Sequence, residues 1–161
     1  RGGTAVALGK STMAGALTDA LQQTVETVWS TLLGLQVQRC ATPAVPDADV
    51  GWSGTVSISG AWEGQVRVQC SEELAHRAAA ILFAVERAAA NVAQAEDALR
   101  EIANVTGGNL MEALPGPSQL SMPSVTNDTA SPPRAGGLLL SRLYFDCQGE
   151  RLSVAVIRTG G

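Results

Sequence analysis

Histidine and cysteine are scarce in this chain: one histidine, His76, and three cysteines, Cys40, Cys70 and Cys147, with no C-x-x-C pair. A protein zinc site usually draws four ligands from Cys and His, so a zinc site is not expected. An odd, scattered set of cysteines fits free thiols in a reducing cytosol rather than a disulfide framework. Charge is sparse too. Only 16% of residues are charged, and 11 Lys and Arg stand against 15 Asp and Glu, for a net charge of -4. With no basic cluster, neither nucleic acid nor an anionic membrane surface is expected as a partner. No apolar run reaches the roughly 18 residues that span a bilayer. The opening RGGTAVALGKST is too weakly hydrophobic for a signal peptide, so a cytoplasmic location is expected. Lacking an initiator Met, residues 1–12 read as a disordered or non-native segment, and 13–161 as a single domain.

What is present is a globular composition, 45% hydrophobic, in a chain of 161 residues, long enough for a real core. Leu17, Leu21, Val25, Val28, Leu32 and Leu35 recur at helical spacing and predict a helix over 13–37. A Pro-rich connection, ATPAVPDAD (41–49), leads to VGWSGTVSIS and AWEGQVRVQC. Trp52, Val56 and Ile58 share one face of the first; Trp62, Val66, Val68 and Cys70 share one face of the second. The short Ser59–Ala61 link predicts a hairpin. Ser71 reads as an N-cap, followed by Glu72 and Glu73 at the positive end of a helix dipole. That Ala-rich helix is predicted to reach about residue 89, and a second to cover 92–114, stopping before Pro115. QLSMPSV predicts a short strand at an edge, because Pro123 cannot donate to a ladder. A loop over 126–137 precedes a final hairpin, LLLSRLYFDC and ERLSVAVIR, turning at Gln148-Gly149. In its first strand Leu139, Leu143 and Phe145 alternate with Leu140, Arg142, Tyr144 and Asp146. The sum is an α+β fold: an antiparallel sheet of about five strands with long helices packed on it.

Several motifs fail on inspection. GKST at 9–12 lacks the glycine a phosphate-binding loop needs five residues before Gly9, where Thr4 stands. Asn104-Val105-Thr106 and Asn127-Asp128-Thr129 match a glycosylation sequon, which means nothing without secretion. His76, beside Arg77 on a helix, suits a packing or surface role better than catalysis. Trp29, Trp52 and Trp62 sit on apolar faces and read as core rather than a ligand cage.

DALREIANVTGGN (97–109) is different. At about 100° per residue, Asp97, Glu101, Asn104 and Gly108 fall within roughly 60° of arc on one helix face. Leu99, Ile102, Ala103, Leu110 and Ala113 take the opposite face and are expected to pack on the sheet. Asparagine is a mediocre helix former, and each glycine costs on the order of 1 kcal/mol against alanine in a helix interior. A solvated polar face accounts for the acid and the amide. It does not account for Gly107-Gly108, although a local kink would; Gly107 has no evident role in the sequence.

D-x-x-x-E-x-x-N followed by a G-N step, here Asp97, Glu101, Asn104, Gly108 and Asn109, closely resembles the signature of the CheC/CheX/FliY family of chemotaxis phosphatases. The helix, the short strand with proline (SMPSV), a variable loop and the final hairpin follow in the family's order. CheC-type proteins carry two copies of the motif. The first helix here offers only Glu26-Thr27-Val28-Trp29, without an asparagine, so the resemblance is to a single-motif, CheX-like member. It implies hydrolysis of the aspartyl phosphate of a CheY-like response regulator, with Mg²⁺ and a lysine supplied by that partner and no cofactor of this chain's own. Asn104 would orient the attacking water and Glu101 would dock to the partner's lysine, these two being the catalytic pair. Asp97, Gly108 and Asn109 would serve partner binding, with Gly108 baring the backbone to close approach. The resemblance also admits a homodimer, to which an apolar strand such as LLLSRLYF would contribute. The competing expectation is a non-catalytic receiver-binding or flagellar-switch-like interaction module on the same fold.

Overall fold

A computed structural model describes residues 2–41, 51–126 and 137–159, with side chains from residue 15 onward. Helix α1 (Gly2–Leu33) leads to strand β1 (Gln38–Cys40). The hairpin β2 (Trp52–Gly60) and β3 (Gly64–Cys70) follows, then α2 (Glu72–Leu82) and α3 (Val92–Leu110). The short strands β4 (Ser118–Leu120) and β5 (Ser124–Thr126) precede the closing hairpin β6 (Leu138–Cys147) and β7 (Glu150–Arg158). The strands form one antiparallel sheet in the order β1-β6-β7-β3-β2-β4, with β5 also on β2. The fold is therefore α+β as expected. The sheet has seven strands rather than about five, because β1 was hidden behind the predicted first helix and QLSMPSV divides in two.

Alternation puts the core on one side of the sheet. Trp52, Val56 and Ile58 of β2 face the helices with Val66, Val68 and Cys70 of β3, and the residues between them are half-buried on the opposite side. Trp29 and Trp62 join the same core. His76 is buried as well, its ring 5.5 Å from that of Trp52 and its Nδ1 2.9 Å from the Glu72 carbonyl, which fixes it in a packing role. α1 packs on β6, and α3 lies across β2 and β3 with α2 beside it. No described helix is long and apolar enough to cross a membrane.

Several element boundaries differ from the pattern, each for a local reason. α1 stops at Leu33 because Gly34, at φ 68°, turns the chain; its N–H donates to Ser30 O and that of Leu35 to Trp29 O. The first hairpin turns over 61–63 rather than 59–61, with Trp62 tucked into the core from the turn. α2 begins at its expected cap, Ser71 Oγ accepting from Leu74 N–H at 3.1 Å, but ends at Leu82, not near 89. Ala84 takes φ 54° there, and the chain folds back through a 3-10 turn at Arg87–Ala89. Alanine-rich sequence permits helix over that span, but propensity is a weak prior against tertiary packing. Alternation groups Leu139 with Leu143 and Phe145 on one face. A register shift between Leu139 and Ser141 turns it outward opposite Ile157, where it is 47% exposed. Ala113 was expected against the sheet, but it lies in a 3-10 turn after α3 and is exposed. The loop expected over 126–137 lies almost wholly outside the described residues.

Candidate functional site

α3 is built to present one face and bury the other. Asn91 caps it reciprocally with Gln94: Gln94 N–H donates to Asn91 Oδ1 at 2.8 Å, and Asn91 N–H donates to Gln94 Oε1 at 3.1 Å. Ala95, Ala98, Leu99, Ile102, Ala103, Thr106, Gly107 and Leu110 are buried. The single polar group among them is satisfied, Thr106 Oγ1 donating to Ile102 O at 2.6 Å. Small residues let the helix settle closely on β2. A Cβ at Gly54 would lie 2.9 Å from Leu99 O, and one at Gly107 would lie 2.6 Å from Val56 Cγ1. Gly107, unaccounted for in the sequence, is thus a contact glycine that seats α3 on the sheet.

The outward face of α3 forms one wall of an open cleft of about 460 Å³. Asp97, Arg100, Glu101 and Asn104 line it on the helix side; Leu120 at the end of β4 and Ser121, Met122 and Pro123 between β4 and β5 line the other. Glu101 is exposed and Asn104 half-buried. Among the described residues neither side chain has a hydrogen-bond or ion-pair partner within the chain, so both are available to a visitor. Asp97 is not: Arg100 Nη1 sits 2.7 Å from its Oδ1. The cleft therefore brings together three of the five residues singled out in the sequence. Gly108 is half-buried beside Leu120, outside the lining, and Asn109 is exposed one position further on. Sequence reasoning missed Arg100 and the entire second wall. The first was readable as an i, i+3 partner of Asp97; the second depends on how β4 and β5 meet β2, which no local pattern encodes. Among the described residues no group of three or more His, Cys, Asp or Glu is placed to hold a metal ion.

The family model described as chemotaxis phosphatase CheX matches residues 52–133, just over half of the chain and including the whole of α3. The chain belongs to the CheX family. No curated protein sequence matches it significantly. Solved structures carry the likeness of fold at low identity. CheX from Vibrio vulnificus aligns with a TM-score of 0.71 at 18% identity, over 88% of this chain and 95% of that one. CheX from Desulfovibrio desulfuricans gives 0.70 at 16%, over 88% and 99%. CheX from Borrelia burgdorferi, solved in complex with CheY, BeF3 and Mg²⁺, gives 0.68 at 17%, over 87% and 96%. The elements around the cleft are thus those of a CheX fold, and this chain's own residues decide what the cleft does.

Proposed function

We propose that this CheX-family chain hydrolyses the aspartyl phosphate of a CheY-like response regulator, using Asn104 to orient the attacking water and Glu101 to dock. The observation that carries this reading is the pairing on α3 of an unpartnered carboxylate with an unpartnered carboxamide, one turn apart, at the edge of an open cleft. The existence of a CheX–CheY complex within the family supports the choice of partner.

Phosphoryl transfer needs little covalent help, because positioning and charge neutralisation supply most of the acceleration. A carboxamide both donates and accepts, so Asn104 can hold one water in line with phosphorus without adding charge. A carboxylate in that place would repel the phosphoryl group. Glu101 therefore belongs one turn away, where it pairs with the receiver's lysine and fixes the register of docking. Mg²⁺ resides in the receiver and neutralises the phosphoryl oxygens from that side. Asp97 acts through Arg100, holding the guanidinium against the helix at the mouth of the cleft. Gly108 leaves the backbone bare to the partner's approach, and Asn109 stands exposed one position further on to meet it.

Decay of a phosphorylated receiver domain, followed with and without the protein, tests the reading. Wild type accelerates decay; Asn104→Ala loses that acceleration while still binding, and Glu101→Ala weakens binding. A receiver that binds wild type yet decays at its intrinsic rate would reduce the chain to a binding module.

A further inference from the structure

β4 and β5 are two halves of one edge strand on β2. Leu120 pairs with Ile58 and Ser124 with Thr55, so three residues, Ser121, Met122 and Pro123, stand opposite two, Val56 and Ser57. This is a bulge with one extra residue. Without it, Leu120 and Val125, five positions apart, would point to opposite faces of the sheet. With it, Leu120 lies opposite Ile58 and Val125 opposite Gly54, both on the face that packs α3.

The extra residue has to go somewhere, and Met122 goes out. It is 88% exposed, against 63% for Leu138 and 50% for Val92, and is the most exposed large hydrophobic residue among those described. The bulge is fixed rather than slack. Ser121 N–H donates to Ser57 O at 2.8 Å, Ser57 N–H donates to Ser121 Oγ at 3.0 Å, and Ser121 Oγ donates to Met122 O at 3.1 Å. Pro123 has no N–H to leave unpaired on this outer edge. A flexible, polarizable apolar side chain is therefore held out on a stiff platform, across the cleft from Glu101 and Asn104.

We propose that Met122 is the apolar docking residue of this site, seating against an apolar patch beside the phosphorylated aspartate of the receiver domain. The inference rests on the phosphatase reading and adds a division of labour to it. α3 supplies the polar and charged contacts, and the bulge supplies the apolar contact that sets affinity and selects among receivers. Methionine is enriched in interface cores, and a few well-packed residues carry most of the binding energy of an interface.

The test is steady-state dephosphorylation of a receiver that wild type accepts, with Met122→Ala, Met122→Leu and, as a control outside the cleft lining, Phe83→Ala, which is 42% exposed. Met122→Ala is expected to raise KM about tenfold with kcat within about twofold, Met122→Leu to restore KM, and Phe83→Ala to change neither. Thermal unfolding of both Met122 variants should match wild type. An unchanged KM for Met122→Ala on an accepted receiver overturns this inference and leaves the phosphatase reading standing. Wild type that accelerates the decay of no receiver in a panel overturns the parent reading and this inference with it.

Discussion

A methyl group added at Gly107 would sit 2.6 Å from Val56 Cγ1, whereas one added at Gly108 would sit 3.6 Å from Leu120 Cδ1. The first distance forces α3 away from β2, and the second is ordinary contact. Gly107→Ala is expected to destabilise the fold by about 1–3 kcal/mol, the usual cost of overpacking. Gly108→Ala is expected to be neutral or to stabilise by up to about 1 kcal/mol, since alanine is the better helix former. Urea unfolding of the two variants decides the matter, and equal effects would contradict this account of Gly107. If Gly108 serves the partner, its alanine variant should bind receivers less tightly despite its sound fold. The helical pattern separated the two faces of α3 in the sequence, placing Leu99, Ile102 and Leu110 inward and Glu101 and Asn104 outward. It put Gly108 on the outward face but gave Gly107 no role, because that role lies in Val56, which is far away along the chain.

Among the elements, α2 and its return to α3 depend on side chains that bridge them. Glu73 accepts from Arg87 Nε at 2.9 Å and from Arg77 Nε at 3.0 Å. The Arg87 hydrogen bond above all, with help from Arg77, holds the Glu73 carboxyl down to about 2. A depressed carboxyl contributes stability above its unfolded value and loses it as pH falls through its folded value. That window runs from about pH 4.5 down to about pH 2. The group is well exposed, so solvent screening keeps the effect small. Glu73→Gln should lower the melting temperature slightly at pH 7 and flatten its fall across that window, the two proteins converging near pH 2; an unaltered acid limb would contradict the assignment. Ser71 has two tasks, accepting from Leu74 N–H at 3.1 Å and donating to Glu150 Oε1 at 2.6 Å. Ser71→Ala should therefore cost about 1–2 kcal/mol in chemical unfolding, more than loss of an exposed cap alone. The cap of α2 was legible because capping is local chemistry. The end of α2 was not, because Ala84 at φ 54° answers to where Arg87 must return rather than to its own preference. The same holds for the division of QLSMPSV, where the bulge keeps Leu120 and Val125 on one face.

At the scale of the whole molecule, the sheet sorts its thiols as it sorts its hydrophobic residues. Cys70 and Cys147 are buried and Cys40 is exposed. Burial pushes the Cys70 thiol up to about 12 and raises that of Cys147 as well. A native protein treated with a thiol reagent near pH 8 should label at Cys40 alone, with the other two reacting only on unfolding; rapid labelling of all three would contradict this packing. The hairpins, the helical core face and the motif on α3 could all be read from periodicity, and the family from the motif's residues. The strand order could not, since it joins β1 to β6 and β7 to β3 across long stretches of chain. With it went the second wall of the cleft. The most direct test of the central claim is the single-turnover decay of a phosphorylated receiver domain in the presence of wild type and of Asn104→Ala. The account predicts decay well above the intrinsic rate with wild type, and the intrinsic rate with Asn104→Ala at matched occupancy. Equal acceleration by both proteins would contradict it.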